Sequence, residues 1–224
     1  MTNAKEVIQQ LKEIANEKTM AEHARVGIVG KKLIGVNIWA LRKVAKELGR
    51  DHKLAIELWD TDYHEARILA SYVAEPLKVN GELCEKWVLD FDSWDICDQV
   101  VDLFERAGFG WVFADEWTRR EEEFVKRAGF AIIAGLAVHD KEATDERFIE
   151  LFKLIEAQAW DERKYVKKAV NWALRNIGKR NKRLNSEAIA AAERIKEQDT
   201  KPARWIASNA LRELKSEKVQ ARLK

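Results

Sequence analysis

Lys168, Trp172, Arg175 and Lys179 recur at intervals of three or four residues, so on a helix they form one stripe. The other side of the same segment is Val166, Val170, Ala173 and Ile177, the face that would pack. Trp172 projects roughly 130° from the centre of that apolar face, so packing alone does not account for it. The anion that suits an indole set among cations, with sugar and base rings to lie against it, is nucleic acid. The surrounding Lys164, Lys167, Arg180, Lys182 and Arg183 would by themselves be a solvated face, because charge alone specifies no partner. Trp172 within them is what points to nucleic-acid contact.

A second pair that could do chemistry is Trp94 and Asp98, four apart and therefore on one helix face. The apolar side of that helix is Ile96, Cys97, Val100, Leu103 and Phe104. Asp98 lies roughly 150° from its centre, with Trp94 at its edge. Two readings stand: a solvated acid beside a half-buried Trp, or a carboxylate held next to an indole for use. Asp95, near the helix start, is explained by the helix dipole. Arg127 precedes the apolar run Ala128 to Val138 and is the last charge before it. Its plainer role is an i, i+4 pair with Glu123, and its other role is a stiffly held phosphate contact.

Other chemistry finds no support. The stretch Gly27-Ile28-Val29-Gly30-Lys31-Lys32 has the wrong spacing for a phosphate loop and lacks the following Ser or Thr. The four histidines, His23, His52, His64 and His139, are scattered, and no acid and histidine cluster has metal-ligand spacing. No metal and no nucleotide cofactor are expected. Cys84 and Cys97 are the only cysteines and read as reduced core thiols.

The elements that must position these residues are helices. With 2 Pro and 10 Gly in 224 residues and little two-residue alternation, strands lack support. Helical spacing recurs near 5–16, 36–48, 53–59, 64–75, 81–90, 93–107, 114–138, 146–158, 163–178, 186–197 and 203–214. A single domain, 1–224, is expected. The net charge of +2 hides an asymmetry: residues 163–224 carry 18 Lys and Arg against 6 Asp and Glu, net +12, so the rest carries −10. Such a split implies one localised polyanion-facing surface. No secretory leader or spanning segment is legible, so a cytoplasmic protein away from membranes is expected. Tryptophans 39, 59, 87, 111, 117, 160 and 205 are expected to pack between helices.

Asn171-Trp172-Ala173-Leu174-Arg175 is echoed by Ser208-Asn209-Ala210-Leu211-Arg212, 37 residues on, and Val125-Lys126-Arg127-Ala128 precedes Val166-Lys167-Lys168-Ala169 by 41. Those offsets suit paired-helix HEAT or armadillo repeats. The expected fold is all-α, with HEAT-like helical repeats stacked into a curved α-solenoid.

Taken with Leu58-Trp59-Asp60, Ser93-Trp94-Asp95-Ile96-Cys97-Asp98 and the segment Val166 to Arg175, the chain resembles the AlkD-like alkylpurine DNA glycosylases, a HEAT-like repeat family. The resemblance implies that Trp94 and Trp172 lie against the lesion's deoxyribose, that Asp98 is the catalytic carboxylate, and that Arg127 and Arg175 touch DNA phosphate. It also implies recognition from the backbone side without a base-flipping pocket. The expected partner is double-stranded DNA containing N3- or N7-alkylated purines, acted on by a monomer. Where the family carries an aromatic near the site entrance, in the segment before Gly35, this chain has Val26. Two other functions compete: a non-catalytic HEAT-like protein binding branched or damaged DNA, and a protein-binding solenoid.

Overall fold

Polar side chains cap the starts of several helices. The side chains of Asn3, Asn16, Asn37, Asp51, Asn80, Asn181 and Thr200 each accept a backbone N–H from the turn that follows, satisfying donors that a helix start leaves open. The computed structural model describes residues 2–28 and 32–223. Val29, Gly30 and Lys31 of the glycine stretch at 27–32 lie outside the described residues.

Among the described residues the chain is helical without strands, and it divides into two compact units. The first, Met1–Ala107, holds α1 (Ala4–Glu13), α2 (Glu17–Val26), α3 (Ile38–Leu48), α4 (His52–Trp59), α5 (His64–Val73), a 3-10 turn at Pro76–Lys78, α6 (Gly81–Leu89) and α7 (Trp94–Arg106). Helices α3, α5 and α7 pack successively as one layer, with α4 against α5 and α1 against α4. Trp59 and Trp87 stack at 4.1 Å in its core. Cys84 and Cys97 are buried there outside any disulfide, and burial pushes the Cys84 thiol up to about 12.

The second unit, Gly108–Lys224, holds α8 (Gly110–Trp117), α9 (Glu123–His139), α10 (Asp145–Ala157), α11 (Lys164–Ile177), α12 (Lys182–Glu197), α13 (Lys201–Leu214) and α14 (Glu217–Gln220). Helices α9, α11 and α13 pack in order as one layer, and α10 packs on α12 in another. The repeat is written into the cross-helix hydrogen bonds. Arg127 to Tyr165, Asn171 to Asn209 and Arg175 to Glu213 each span 38 residues, close to the offset of the sequence echo. In the first unit the corresponding bonds are shorter in sequence: Trp59 to Asp90 and His64 to Asp95 each span 31.

Two boundaries differ from the sequence expectation. The stretch expected as one helix over 114–138 is two, because Thr118 turns its hydroxyl back onto the carbonyls of Ala114 and Asp115 and ends α8. Helix α9 then packs so closely on that corner that a Cβ at Gly129 would meet the Thr118 nitrogen at 2.6 Å. Helix α2 is absent from the sequence expectation: Thr19 is its one buried residue, so it carries no apolar stripe to read.

Candidate nucleic-acid interface

In the first unit, the start of α7 is fixed by a buried polar chain. Ser93 donates to one Asp95 carboxylate oxygen at 2.7 Å, and the other oxygen meets His64 Nε2 at 2.8 Å. Burial pulls the His64 pKa down, but the hydrogen bond and charge of Asp95, with Glu65 and Asp92, hold it above its ordinary value. Burial likewise pushes Asp95 up, and His64 and Ser93 bring it below the usual carboxylate value. Asp95, which the sequence explained by the helix dipole, is therefore a buried anchor between α5 and α7.

That anchor orients Trp94 and Asp98. Both are half-buried and one turn apart on α7, Asp98 opposite the buried Ile96, Cys97, Val100, Leu103 and Phe104 and Trp94 at the edge of that face. The Trp94 indole N–H donates to the Val26 carbonyl at 3.2 Å. Val26 thus meets Trp94 through its backbone, a contact that does not require an aromatic side chain at that position. Two turns beyond Asp98, burial and the charge of Asp102 push the Glu105 carboxyl up to about 8, against the pull of Arg106.

A second carboxylate organises the approach to α3. Glu65 is 1% exposed and accepts the N–H groups of Ile34, Gly35 and Val36 at 2.9, 2.6 and 3.2 Å. Gly35 has φ +95°, and a Cβ there would meet Met20 Cγ at 2.7 Å, so the turn requires glycine. The chain leaves this clamp directly into the Asn37 cap of α3.

In the second unit, α11 buries Val166, Ala169, Val170, Ala173, Leu174 and Ile177, the face read from the sequence. On its other side Lys168 is exposed and Trp172 and Arg175 are half-buried, whereas Lys179, expected on the same helical stripe, is exposed in the turn beyond the helix end at Ile177. Arg175 and Lys179 both engage Glu213 of α13: Arg175 through a short ion pair, Lys179 at 3.0 Å. Burial would raise the Glu213 pKa, but the hydrogen bonds from Lys179 and Arg175 hold it below its ordinary value. Arg127 is 5% exposed on α9 and donates to the Tyr165 carbonyl at 2.8 Å, tying α9 to the first turn of α11. A cleft of about 350 Å³ lined by Lys141, Asn176, Lys179 and Arg180 continues the basic surface.

The expectation that seven tryptophans pack holds for Trp59, Trp87 and Trp117, all at most 1% exposed, and fails for three others. Trp39 is 78% exposed, Trp160 56% and Trp205 39%. Each has a cation over its ring, Arg42, Lys126 and Lys167 respectively, at 5.1 to 5.6 Å. For Trp39 the sequence held a signal: Trp39-Ala40-Leu41-Arg42, with Lys46 seven residues after the Trp, is repeated as Trp172-Ala173-Leu174-Arg175 with Lys179. Among the described residues no cluster of three His, Cys, Asp or Glu has the arrangement of a metal site, and no helix is long and apolar enough to cross a membrane.

A family model described as DNA alkylation repair enzyme matches residues 7–214. The chain belongs to that family. This DNA alkylation repair family member superposes on a solved structure described as "a new family of proteins related to the HEAT-like repeat DNA glycosylases with affinity for branched DNA structures", with TM-score 0.84 and 20% identity over 99% of this chain and 96% of that one. The two share the HEAT-like repeat fold. The family member is also 27% identical, over 45% of its own length, to a Listeria innocua protein named only as uncharacterised. It spans about half, 46%, of that curated relative.

Proposed function

We propose that this protein is a DNA glycosylase that releases cationic N3- or N7-alkylated purines from double-stranded DNA, with Asp98 as the catalytic carboxylate. The observation that carries the reading is the half-buried Trp94 and Asp98 pair, one turn apart on α7, in a member of the DNA alkylation repair family. An alkylated purine bears positive charge and leaves as a neutral base, so its departure needs no general acid. What remains is charge on the sugar, which a carboxylate stabilises while it orients the attacking water. A unit charge pair at about 4 Å in an effective dielectric near 20 is worth roughly 4 kcal/mol, about a thousandfold in rate. Within the first unit Trp94, beside Asp98, favours the cationic sugar, and Trp172 on the second unit offers its own aromatic face to deoxyribose, each contributing about 0.5 to 2 kcal/mol. Lys168, Arg175 and Lys179 bind phosphate, and Arg127, which the resemblance implied as a further phosphate contact, instead holds α11 in place from its buried position.

Asp98→Asn is expected to abolish release of N7-methylguanine from methylated duplex DNA while leaving duplex affinity within about twofold. Free modified base is measured by chromatography, and wild-type rates in the variant remove Asp98 from the reaction. A second reading, non-catalytic binding of branched DNA, draws on the structural neighbour's described affinity. It predicts no base release by the wild-type protein and tighter binding to a junction than to a duplex.

A further inference from the structure

We infer that Trp39 and Arg42 on α3 form a second nucleic-acid contact, in which Trp39 stacks on an unpaired nucleobase and Arg42 meets its phosphate. The inference rests on the DNA-binding reading above and extends it to an element that the sequence reading assigned to packing. Helix α3 buries Leu41 and Val44, and Trp39 stands two residues before Leu41, about 200° round the helix from it. The fold does not bury the indole: it remains 78% exposed with the Arg42 guanidinium 5.6 Å from its centroid. Around it Arg42, Lys43 and Lys46 are exposed, with Glu47 the one acid of α3. The same Trp-Ala-Leu-Arg order occurs on α11, with a Lys seven residues after the Trp in the turn that follows that helix.

The position is built rather than incidental. Glu65 clamps the turn at 34–36 and Asn37 caps the helix, so the α3 start is held on three backbone donors and one cap. Arg42 also lies 5.9 Å from the Tyr72 ring and donates to Gln99 at 3.4 Å, while the Tyr72 hydroxyl bonds the same Gln99. The cluster therefore runs from α3 across α5 to the residue beside Asp98 on α7.

Intact duplex hides its base faces within the stack and offers sugar edges and phosphates. An indole this open suits a base already outside the stack, at a tail, gap or branch, where base-to-aromatic stacking is sequence-tolerant. The ligand is thus DNA with an unpaired segment next to duplex.

The test uses the full chain and two fluorescein-labelled probes, a blunt 20-base-pair duplex and the same duplex with a five-nucleotide thymidine tail. The wild-type protein is expected to bind the tailed probe more tightly. Trp39→Ala is expected to weaken tailed binding by about 5- to 100-fold while blunt binding stays within about twofold. Trp39→Phe should recover part of the loss, and Arg42→Ala should lose tailed affinity and lower its salt dependence. Because Trp39 is exposed, the variants should melt with the wild-type protein. Equal wild-type affinity for the two probes, or unchanged tailed binding by Trp39→Ala, overturns the inference. Base release from methylated blunt duplex should be unaffected by Trp39→Ala, so a failure of the Asp98 proposal and a failure of this one are read in different assays.

Discussion

Glu213→Gln should tighten DNA binding, although it changes a residue with no proposed contact to DNA. In the free protein Glu213 holds Arg175 and Lys179, so both cations must leave it, or share it, when phosphate arrives. Part-exposed pairs of this kind are worth about 0.2 to 1 kcal/mol each. Two pairs therefore oppose binding by about 0.4 to 2 kcal/mol, a factor of roughly 2 to 30 in affinity. If both cations then take phosphates that they forgo in the wild-type protein, the slope of log affinity against log salt steepens by up to about 1.8. Fluorescence anisotropy with a labelled duplex between about 50 and 300 mM KCl measures both quantities. Glu193→Gln, which removes the same charge from the pair with Lys215, controls for net charge. Unchanged or weaker binding by Glu213→Gln, or an equal gain in the control, refutes the argument that these cations face DNA.

Other outcomes follow from the buried carboxylates of the first unit. His64 has a raised pKa, so its contribution is full below the ordinary imidazole value of 6.5 and is lost as pH rises through the folded value. Asp95 is lowered, so its contribution is full above 3.8 and is lost as pH falls through the folded value. The pair thus stabilises most between those two ordinary values. Thermal melts should show a stability decline from pH 6 to 9 that shrinks in Asp95→Asn, and an identical decline in both proteins argues against it. Glu65→Ala strands three buried N–H groups and should cost about 3 kcal/mol or more. Amide exchange at Ile34, Gly35 and Val36 should accelerate, and unaltered protection there contradicts the clamp.

How much of this is legible from residues alone depends on periodicity. The buried faces of α7 and α11 match the sequence expectation because each alternates a dense apolar stripe with charge, which only a helix accommodates. Helix α2 carries no such stripe. The corner at Thr118 escapes because Arg119, Arg120, Glu121, Glu122 and Glu123 are as compatible with a helix surface as with a turn, and the break is decided by one hydroxyl and by the close packing of Gly129. Where the repeat is long, at 37 or 38 residues, the echo in sequence and the hydrogen bonds in space agree.

The site is less legible, for a physical reason that bears on how such surfaces work. Sequence reports the sign of a charge but not its partner, so Arg175 and Lys179 read as free cations when they converge on Glu213 from the next repeat. Equally, Asp95 reads as a dipole acid when it closes a buried link to His64, 31 residues earlier. In both cases the partner lies one repeat away, at the separation set by stacking. A repeat fold therefore neutralises its own charges across layers, and the groups left to meet an anion are those whose neighbouring repeat supplies no acid. On α3, Arg42 meets Trp39 on its own helix and Tyr72 and Gln99 on the next helices of the layer, none of them an acid. With no carboxylate among these partners, α3 should bind phosphate without the competition that Glu213 imposes on α11.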